Sequence, residues 1–256
     1  MIRFCSLGSG SSGNSFYVGN GAGAVLLDAG FSGKETMARL REAGLDPGSI
    51  RAVMISHEHT DHVKGAGVVA RMLDVPVCLS EKTYERAKKA MGRVPGIVHF
   101  SVGERFDAEG MDVASFSIPH DAADPCAFVF HSSGTRMAVV TDAGSATMLI
   151  EERLRGVDYI VVEANHDPDM LKAGPYPWEL KQRIASRVGH MSNEACAGLV
   201  RKVAHSGLQG VTFAHLSRTN NNPDLVRLMA EEALGEAGTP YSVASQDRPG
   251  PIVNVE

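Results

Sequence analysis

The chain lacks the features that would put it in a membrane, outside the cell, or on nucleic acid by charge alone. No stretch of its 256 residues approaches the ~20 consecutive apolar residues of a membrane span. The opening MIRFCSLGSG lacks the charged start and the apolar run of ~7–15 residues of a secretory signal, so a cytoplasmic protein is expected. Cysteine is scarce and scattered. Cys5, Cys78, Cys126 and Cys196 form no CxxC and read as reduced thiols that fill the core. Positive charge is not in excess: the net charge of −5 argues against non-specific binding of polyanions over the whole surface, and leaves that role to a local basic groove or to metals. There is no linker, no low-complexity tail and no fixed-period repeat. The Gly/Ser run SLGSGSSGNS (6–15) lacks the lysine of a GxxxxGK[ST] phosphate loop, since the next lysine is Lys34, and it leads into a strand rather than a helix.

What is there is a 43% apolar composition, enough for a packed core, in two cycles of strands followed by helices. Strands are expected over 1–7, 15–19 and 24–30, then a helix over 34–45 in which Met37, Leu40 and Arg41 keep helical spacing and Gly44 supplies the stop. RAVMIS (51–56) reads as a buried strand, followed by a helix over 63–73, a strand over 75–80 and a helix over 81–91. Short strands and turns fill 97–141. The second cycle has helix 145–154, strand 157–164, helix 178–187, helix 192–207 with Ser192 as N-cap, and strand 210–217. Helix 222–238 follows, opened by Pro223, and TPYSVAS and PIVNVE close as strands. This order suits two sheets face to face with helices outside. The expected fold is α/β (α+β), a four-layer αββα sandwich, with residues 1–256 in one domain.

The chemistry concentrates in SHEHTDHVKG (56–65), between the buried strand and a helix. Three imidazoles and a carboxylate within six residues are a large cost for a purely structural loop, and these donors suit Zn, Mn or Fe. In a tight turn His57 and His59 can serve one ion while Asp61 and His62 serve a second. Each ion needs about four or more donors. Single metal-type residues close three other apolar runs: His120 in FSIPHD, Asp142 in AVVTDAG and His215 in VTFAHLS. His99, His131 and His205 lack such a context and read as structural.

With these residues the chain resembles the metallo-β-lactamase-fold hydrolase superfamily along essentially its whole length. HEHTDH matches the HxHxDH hallmark, with His59 where the diiron redox branch has glutamate, which favours hydrolysis. Asp28 in AVLLDAG matches the aspartate that orients the metal loop from behind the ligands. The resemblance implies two divalent ions, Zn or Mn. The first would sit on His57, His59 and His120, the second on Asp61, His62 and His215, with Asp142 bridging and Asp61 also among the catalytic residues. Two such ions can share a water and bring its pKa toward neutrality, giving a hydroxide nucleophile.

VDYIVVEANHD (157–167), RVGHMSNEA (187–195) and TFAHLS (212–217) are similar to segments of the phosphodiesterase branch that includes the tRNA 3′-end processing nucleases. The glutamate and histidine paired beside the metals in that branch correspond to Glu163 and His190, the implied general acid. By themselves these read as a strand-end acid and a helix-capping histidine ahead of Ser192. With GSGSSGN, GPYPWELKQRI and HLSRTNNNP included, the set most resembles the bacterial YycJ/WalJ-like branch, regarded as double-stranded DNA 5′-to-3′ exonucleases. That implies a nucleic acid substrate, DNA rather than RNA, a role in DNA repair, and no membrane partner. The chain has no long basic arm for tRNA and no room for the extra domain of RNase J-type relatives. Two other readings are hydrolysis of a small ester, lactone or cyclic phosphodiester on the same centre, and a metal-binding regulator without turnover. The complete ligand set disfavours the second.

Phosphates attract cations and hydrogen-bond donors. Lys181, Arg183 and Arg187 precede His190, with Arg183 and Arg187 four apart on one helix face and Leu180, Ile184 and Val188 as the opposing apolar stripe. The helix reads either as phosphate-facing or as ordinarily amphipathic. Arg218 and Asn220 follow closely on His215 and are expected near substrate, and His166 is expected to touch substrate or to support the site from behind. The Gly/Ser turn is expected at the substrate rim, with Ser9, Ser11, Ser12 and Asn14 offered to a phosphate. A plain β-turn is the alternative.

Overall fold

In the computed structural model, which describes residues 1–235 and 238–256, the two cycles of apolar runs build two facing sheets. The first cycle comprises β1 (Ile2–Gly8), β2 (Ser15–Gly19), β3 (Ala24–Leu27), α1 (Gly33–Glu42), β4 (Ile50–Met54), α2 (Thr60–Val63), α3 (Ala66–Leu73), β5 (Val77–Leu79), α4 (Glu81–Met91) and β6 (Ile97–His99). The second comprises β7 (Arg105–Ala108), β8 (Met111–Ser117), β9 (Cys126–Ser132), β10 (Thr135–Val140), α5 (Met148–Leu154), β11 (Tyr159–Glu163), α6 (Pro168–Ala173), α7 (Trp178–Ile184), α8 (Asn193–Val203), β12 (Gly210–Ala214), α9 (Pro223–Leu234), β13 (Tyr241–Val243) and β14 (Val253–Val255). The strand orders are β14-β1-β2-β3-β4-β5-β6 and β13-β12-β11-β10-β9-β8-β7.

Strands joined by short connections pair antiparallel, as does the edge strand β14 with β1, and strands joined through helices pair parallel. From β3 to β6 and from β10 to β13 neighbouring strands run parallel, and such pairs need a crossover, here usually a helix laid on the outer face. The seam between the sheets is filled by Phe4, Phe16, Phe128, Phe130, Met54 and Val161, all fully or almost fully buried, each contributing on the order of 2 kcal/mol. Outside the first sheet, α1, α3 and α4 cover Leu26 and Val53 with Leu40, Val69 and Ala87. Outside the second, α5, α8 and α9 cover Phe213 and Val162 with Ile150, Val200 and Val226. The result is the αββα sandwich expected.

The departures have local causes. The helix expected over 63–73 breaks into α2 and α3 at Gly65, which packs so closely that a Cβ there would lie 1.8 Å from the Phe31 carbonyl oxygen. The helix expected over 178–187 ends at Ile184. None of its residues is fully buried, and Val188 of the supposed apolar stripe is exposed. Short α6 was not anticipated. Asp167 caps it by accepting from the Met170 N–H, and Pro168 opens it. Helix α9 runs to Leu234, and residues 236–237 of the expected 222–238 helix lie outside the described residues. Among the described residues no helix is long and apolar enough to cross a membrane, and all four cysteines are free.

Candidate metal centre

Ligand-type side chains gather where strands of both sheets run out at one end. Asp28 follows β3, the HEHTDH loop follows β4, His120 follows β8, Asp142 follows β10, Glu163 closes β11 and His215 follows β12. Asp28, Asp142 and His215 adopt left-handed backbone, with φ of 60°, 61° and 56°, at a cost of about 1–3 kcal/mol for a non-glycine residue. Hydrogen bonds hold these corners in place. The Asp28 N–H donates to Met54 O at 2.7 Å, and its Oδ1 accepts from the Ser56 N–H at 2.9 Å. The His215 N–H donates to Ser9 Oγ at 2.9 Å. Beyond Asp142, the Ala143 N–H donates to Glu163 Oε2 at 3.0 Å.

The donors fall into three sets, the last two sharing Asp142 and His215: His57, His59 and His120; Asp61, His62, Asp142 and His215; and Asp142, Glu163, His190 and His215. Within each set the ligand atoms lie within 4.8 Å of one another. Asp142 reaches toward both of the first two sets. Its Oδ2 is 3.2 Å from His62 Nε2, and its Oδ1 is 3.4 Å from His215 Nε2 and 3.9 Å from His120 Nε2. Acceptors behind the rings choose which nitrogen faces inward. His62 Nδ1–H donates to Asp28 Oδ2 at 2.8 Å, His120 Nδ1–H to Gly189 O at 3.0 Å, and His215 Nδ1–H to Glu163 Oε1 at 3.0 Å. In each case Nε2 is left facing the cluster, as in carboxylate–histidine–metal arrangements.

His57 Nε2 and Asp142 Oδ2 are buried without a hydrogen-bond partner, which native interiors rarely tolerate. Nε2 of His120 also faces Nδ1 of His59 at 3.1 Å. These orphaned and mutually facing donors, all imidazole or carboxylate, fit divalent cations of the Zn or Mn type.

The electrostatics follow from burial and charge. Burial lowers the pKa of His62, but Asp142, Asp28 and Asp61 outweigh it and hold the imidazole well above its ordinary value. His215 is likewise raised against its burial by Asp142, Asp61 and Glu163. Burial prevails at His57 and His120, which are pushed down. Burial favours a neutral carboxyl at Asp61 and Asp142, yet the neighbouring His62 and His215 keep both far below the usual carboxylate range.

The cluster opens into a cleft of about 400 Å³ bordered by Ser11, His59, Asp61, Arg183 and His190. A slot of about 180 Å³ adjoins it, where His190 and Arg183 meet Tyr176 and Ser217. His190, on this rim, is paired with a buried carboxylate. Its Nδ1–H donates to Glu163 Oε1 at 2.7 Å, and Glu163 is wholly buried, with Oε2 taking the Ala143 and Met191 N–H groups. Burial opposes the imidazolium, but Glu163 overcomes it and raises the His190 pKa.

Of the expected substrate contacts, Ser11 and Arg183 border the cleft, and Arg183 Nε donates to Asp121 Oδ2 at 2.5 Å. Ser12 is exposed nearby. The others need correcting. Ser9 and Asn14 are fully buried: the Ser9 hydroxyl donates to Asn14 Oδ1 at 2.8 Å, and Asn14 Nδ2 donates to Asp61 Oδ2 at 3.1 Å. The Gly/Ser turn therefore braces the donors from inside and offers only its tip to the cleft. Asn220 is fully buried as well, its N–H donating to Ser217 Oγ, so it shapes the loop after β12. Arg218 turns away to Asp247 at 2.7 Å and lines a different cavity. His166 and Lys181 line a separate hollow behind α7.

Several supporting residues escaped the sequence reading. The Ser56 hydroxyl donates to Asp28 Oδ2 at 2.9 Å and lies 3.0 Å from His57 Nδ1. Asn165 Nδ2 donates to the His215 carbonyl at 2.9 Å. Asp121, 3.6 Å from His120 Nε2, joins the rim to Arg183. Asp121 stood next to His120 in PHD and Asn165 next to His166 in EANHD, so adjacency to a candidate was the available signal.

Comparison with known proteins gives the family and the fold. Residues 24–211 match the β-lactamase superfamily domain. Exodeoxyribonuclease YycJ of Bacillus anthracis is 38% identical over 239 residues, covering 93% of this chain and 90% of that protein. Exodeoxyribonuclease WalJ of Streptococcus pneumoniae is 34% identical over 240 residues, covering 92% and 89%. Among solved structures, the metallo-β-lactamase fold protein YhfI of Bacillus subtilis superposes with a TM-score of 0.77 at 15% identity over 98% of this chain and 99% of that one. Zn(2+)-bound PqqB of Methylobacterium extorquens does so at 0.76 and 18% identity over 99% and 100%. At those identities the likeness is one of fold.

Proposed function

The chain belongs to the β-lactamase superfamily and, within it, to the branch of the YycJ and WalJ proteins, metal-dependent hydrolases, and from that premise we propose that it is a nuclease that shortens double-stranded DNA from 5′ ends in DNA repair, in the cytoplasm. The observation that carries phosphodiester chemistry is the His190–Glu163 pair, a proton donor set into the mouth of the candidate metal centre. The printed names of the two relatives support DNA and exonucleolytic action. The polarity and the repair role rest on the resemblance to their branch.

In this reading His57, His59 and His120 would hold one divalent ion and Asp61, His62 and His215 a second, with Asp142 reaching toward both sets. Bound there, Zn or Mn ions would neutralise phosphoryl charge and acidify a water as nucleophile. Asp28, Gly189 and Glu163 accept from the outer nitrogens of His62, His120 and His215 and so turn the inward nitrogen of each toward the ions. Asn14 holds the Asp61 carboxylate in register. His190, kept charged by Glu163, delivers a proton from its cleft-facing nitrogen to the departing 3′ oxygen, a role worth about 10²–10⁴-fold in rate. Arg183 and Ser11 border the approach of the phosphate.

The test is to incubate metal-loaded protein with 5′-labelled and 3′-labelled duplex DNA, RNA, a cyclic nucleotide and a lactone. Stepwise loss from 5′ ends of the duplex is expected. Turnover of the lactone with no cleavage of any nucleic acid would replace this reading with that of a small-molecule hydrolase.

A further inference from the structure

Helix α7 has two occupied sides. Leu180, Arg183 and Ile184 border the slot beside His190, whereas Trp178, Lys181 and Ala185 border a hollow of about 500 Å³ roofed by α6. Trp178 is the single tryptophan of the chain and stands 64% exposed. An indole left in water forgoes a large hydrophobic gain unless its face is kept for a partner. Pro168 and Leu171 give the hollow apolar walls, and His166 forms its floor, 3% exposed, with no protein group satisfying its Nδ1. The edge is cationic: the Lys181 ammonium donates to the Lys172 carbonyl at 2.7 Å, which fixes its charge beside Lys172 at the lip.

These features match one chemical class. A flat apolar wall with a free aromatic face suits a base of any sequence, and ammonium groups at the lip suit the phosphates that flank it. The hollow lies one helix away from the cleft. A helix is about 10 Å across, comparable to roughly three base steps at 3.4 Å, so a strand with its scissile phosphate in the cleft has a nearby base within reach of Trp178.

We propose that this hollow is a nucleobase pocket: an unstacked base of the substrate strand lies on Trp178, with the strand's phosphates on Lys172 and Lys181. The proposal deepens the nuclease reading and rests on it. It makes the protein a reader of a frayed or single-stranded end, with α7 as the wall between base and scissile phosphate.

Because the chain has one tryptophan, its emission reports this pocket alone. Metal-loaded protein is titrated with a short oligodeoxynucleotide carrying phosphorothioate linkages and, in parallel, with an abasic strand of the same length and phosphate count. Binding is followed by anisotropy of a label on each strand. The base-bearing strand is expected to quench the tryptophan saturably and the abasic strand to bind without quenching. Trp178→Ala should weaken the base-bearing strand about tenfold, within the range for a base stacked on an aromatic ring, and leave the abasic strand unchanged, while Trp178→Phe restores most of the loss. Equal binding of both strands with unaltered emission overturns the pocket alone. If neither strand binds, the nucleic-acid reading of the whole site falls, and the pocket with it.

Discussion

Glu163 Oε1 lies 2.7 Å from His190 Nδ1, and the same oxygen lies 3.0 Å from His215 Nδ1. One buried carboxylate thus orients both the proposed proton donor and a proposed metal ligand, and the two duties separate by substitution. His190→Ala should keep its metal but cleave about 10²-fold or more slowly. Glu163→Gln should lose turnover and also bind metal about 10–100-fold more weakly, because the amide oxygen is drawn to the Ala143 and Met191 N–H groups and His215 loses the carboxylate behind its ring. Metal analysis beside single-turnover kinetics checks both, and unchanged turnover in His190→Ala would reduce that residue to a structural one ahead of α8.

Asp142 reaches toward both donor sets. Asp142→Ala should therefore lose metal and activity together. A variant that keeps a full metal complement, measured by elemental analysis after gel filtration, would contradict the bridging assignment.

Metal uptake should release protons. His62 and His215 are both held well above the ordinary imidazole value by the carboxylates around them, against their burial. Near neutral pH both are charged in the metal-free chain and must give up a proton to become ligands. Affinity should climb with pH through neutrality and beyond. On the order of two protons should leave per loaded site, one for each of these imidazoles. Calorimetry in buffers of different ionisation enthalpy reads this directly, and a binding heat independent of buffer would refute it.

Asn14→Ala tests the corrected role of the Gly/Ser turn. Its amide bonds to Asp61 Oδ2 and its carbonyl oxygen takes the Ser9 hydroxyl. The substitution should weaken metal binding about 10–100-fold, as loss of an outer support does, with little change in KM once metal saturates. A raised KM at full metal occupancy would restore the turn to the substrate rim.

Gly30→Ala probes a close approach. A Cβ at Gly30 would sit 1.7 Å from the Asp61 carbonyl oxygen and 2.8 Å from the Asn14 nitrogen, so the metal loop must shift. Overpacking of this kind costs about 1–3 kcal/mol. A lower denaturation midpoint together with reduced metal content is expected, and wild-type values for both would show that the loop yields freely.

The donor set was legible because its chemistry is compressed. HEHTDH packs three imidazoles and the Asp61 carboxylate into six residues, and His120, Asp142 and His215 each stop an apolar run. The layered fold was legible for a related reason, since runs of buried strand residues alternate with helical spacing. Direction was not legible. Ser9 and Asn14 look like exposed loop residues in sequence, yet Asn14 finds Asp61 47 positions away and turns inward. Asn220 is hidden in the same way. Arg218, three residues from His215, points away because Asp247 draws it. A sequence lists donors by spacing along the chain, whereas their orientation depends on partners contributed from elsewhere. Short α6, which roofs the hollow behind α7, left no periodic signature in its six residues.

The pairing of β1 with β14, Ile2 opposite Val255 and Phe4 opposite Val253, sets a timetable for synthesis. Once made, β1 finds β2 at once, but its other edge faces outward until β14 has been made as well. His215, too, is translated long after the HEHTDH loop. While the nascent chain grows, the open edge of β1 is a row of unpaired backbone groups able to pair with a neighbouring chain. Slowing translation just ahead of β14 should therefore raise the share of nascent protein that aggregates more than the same pause placed just after β3.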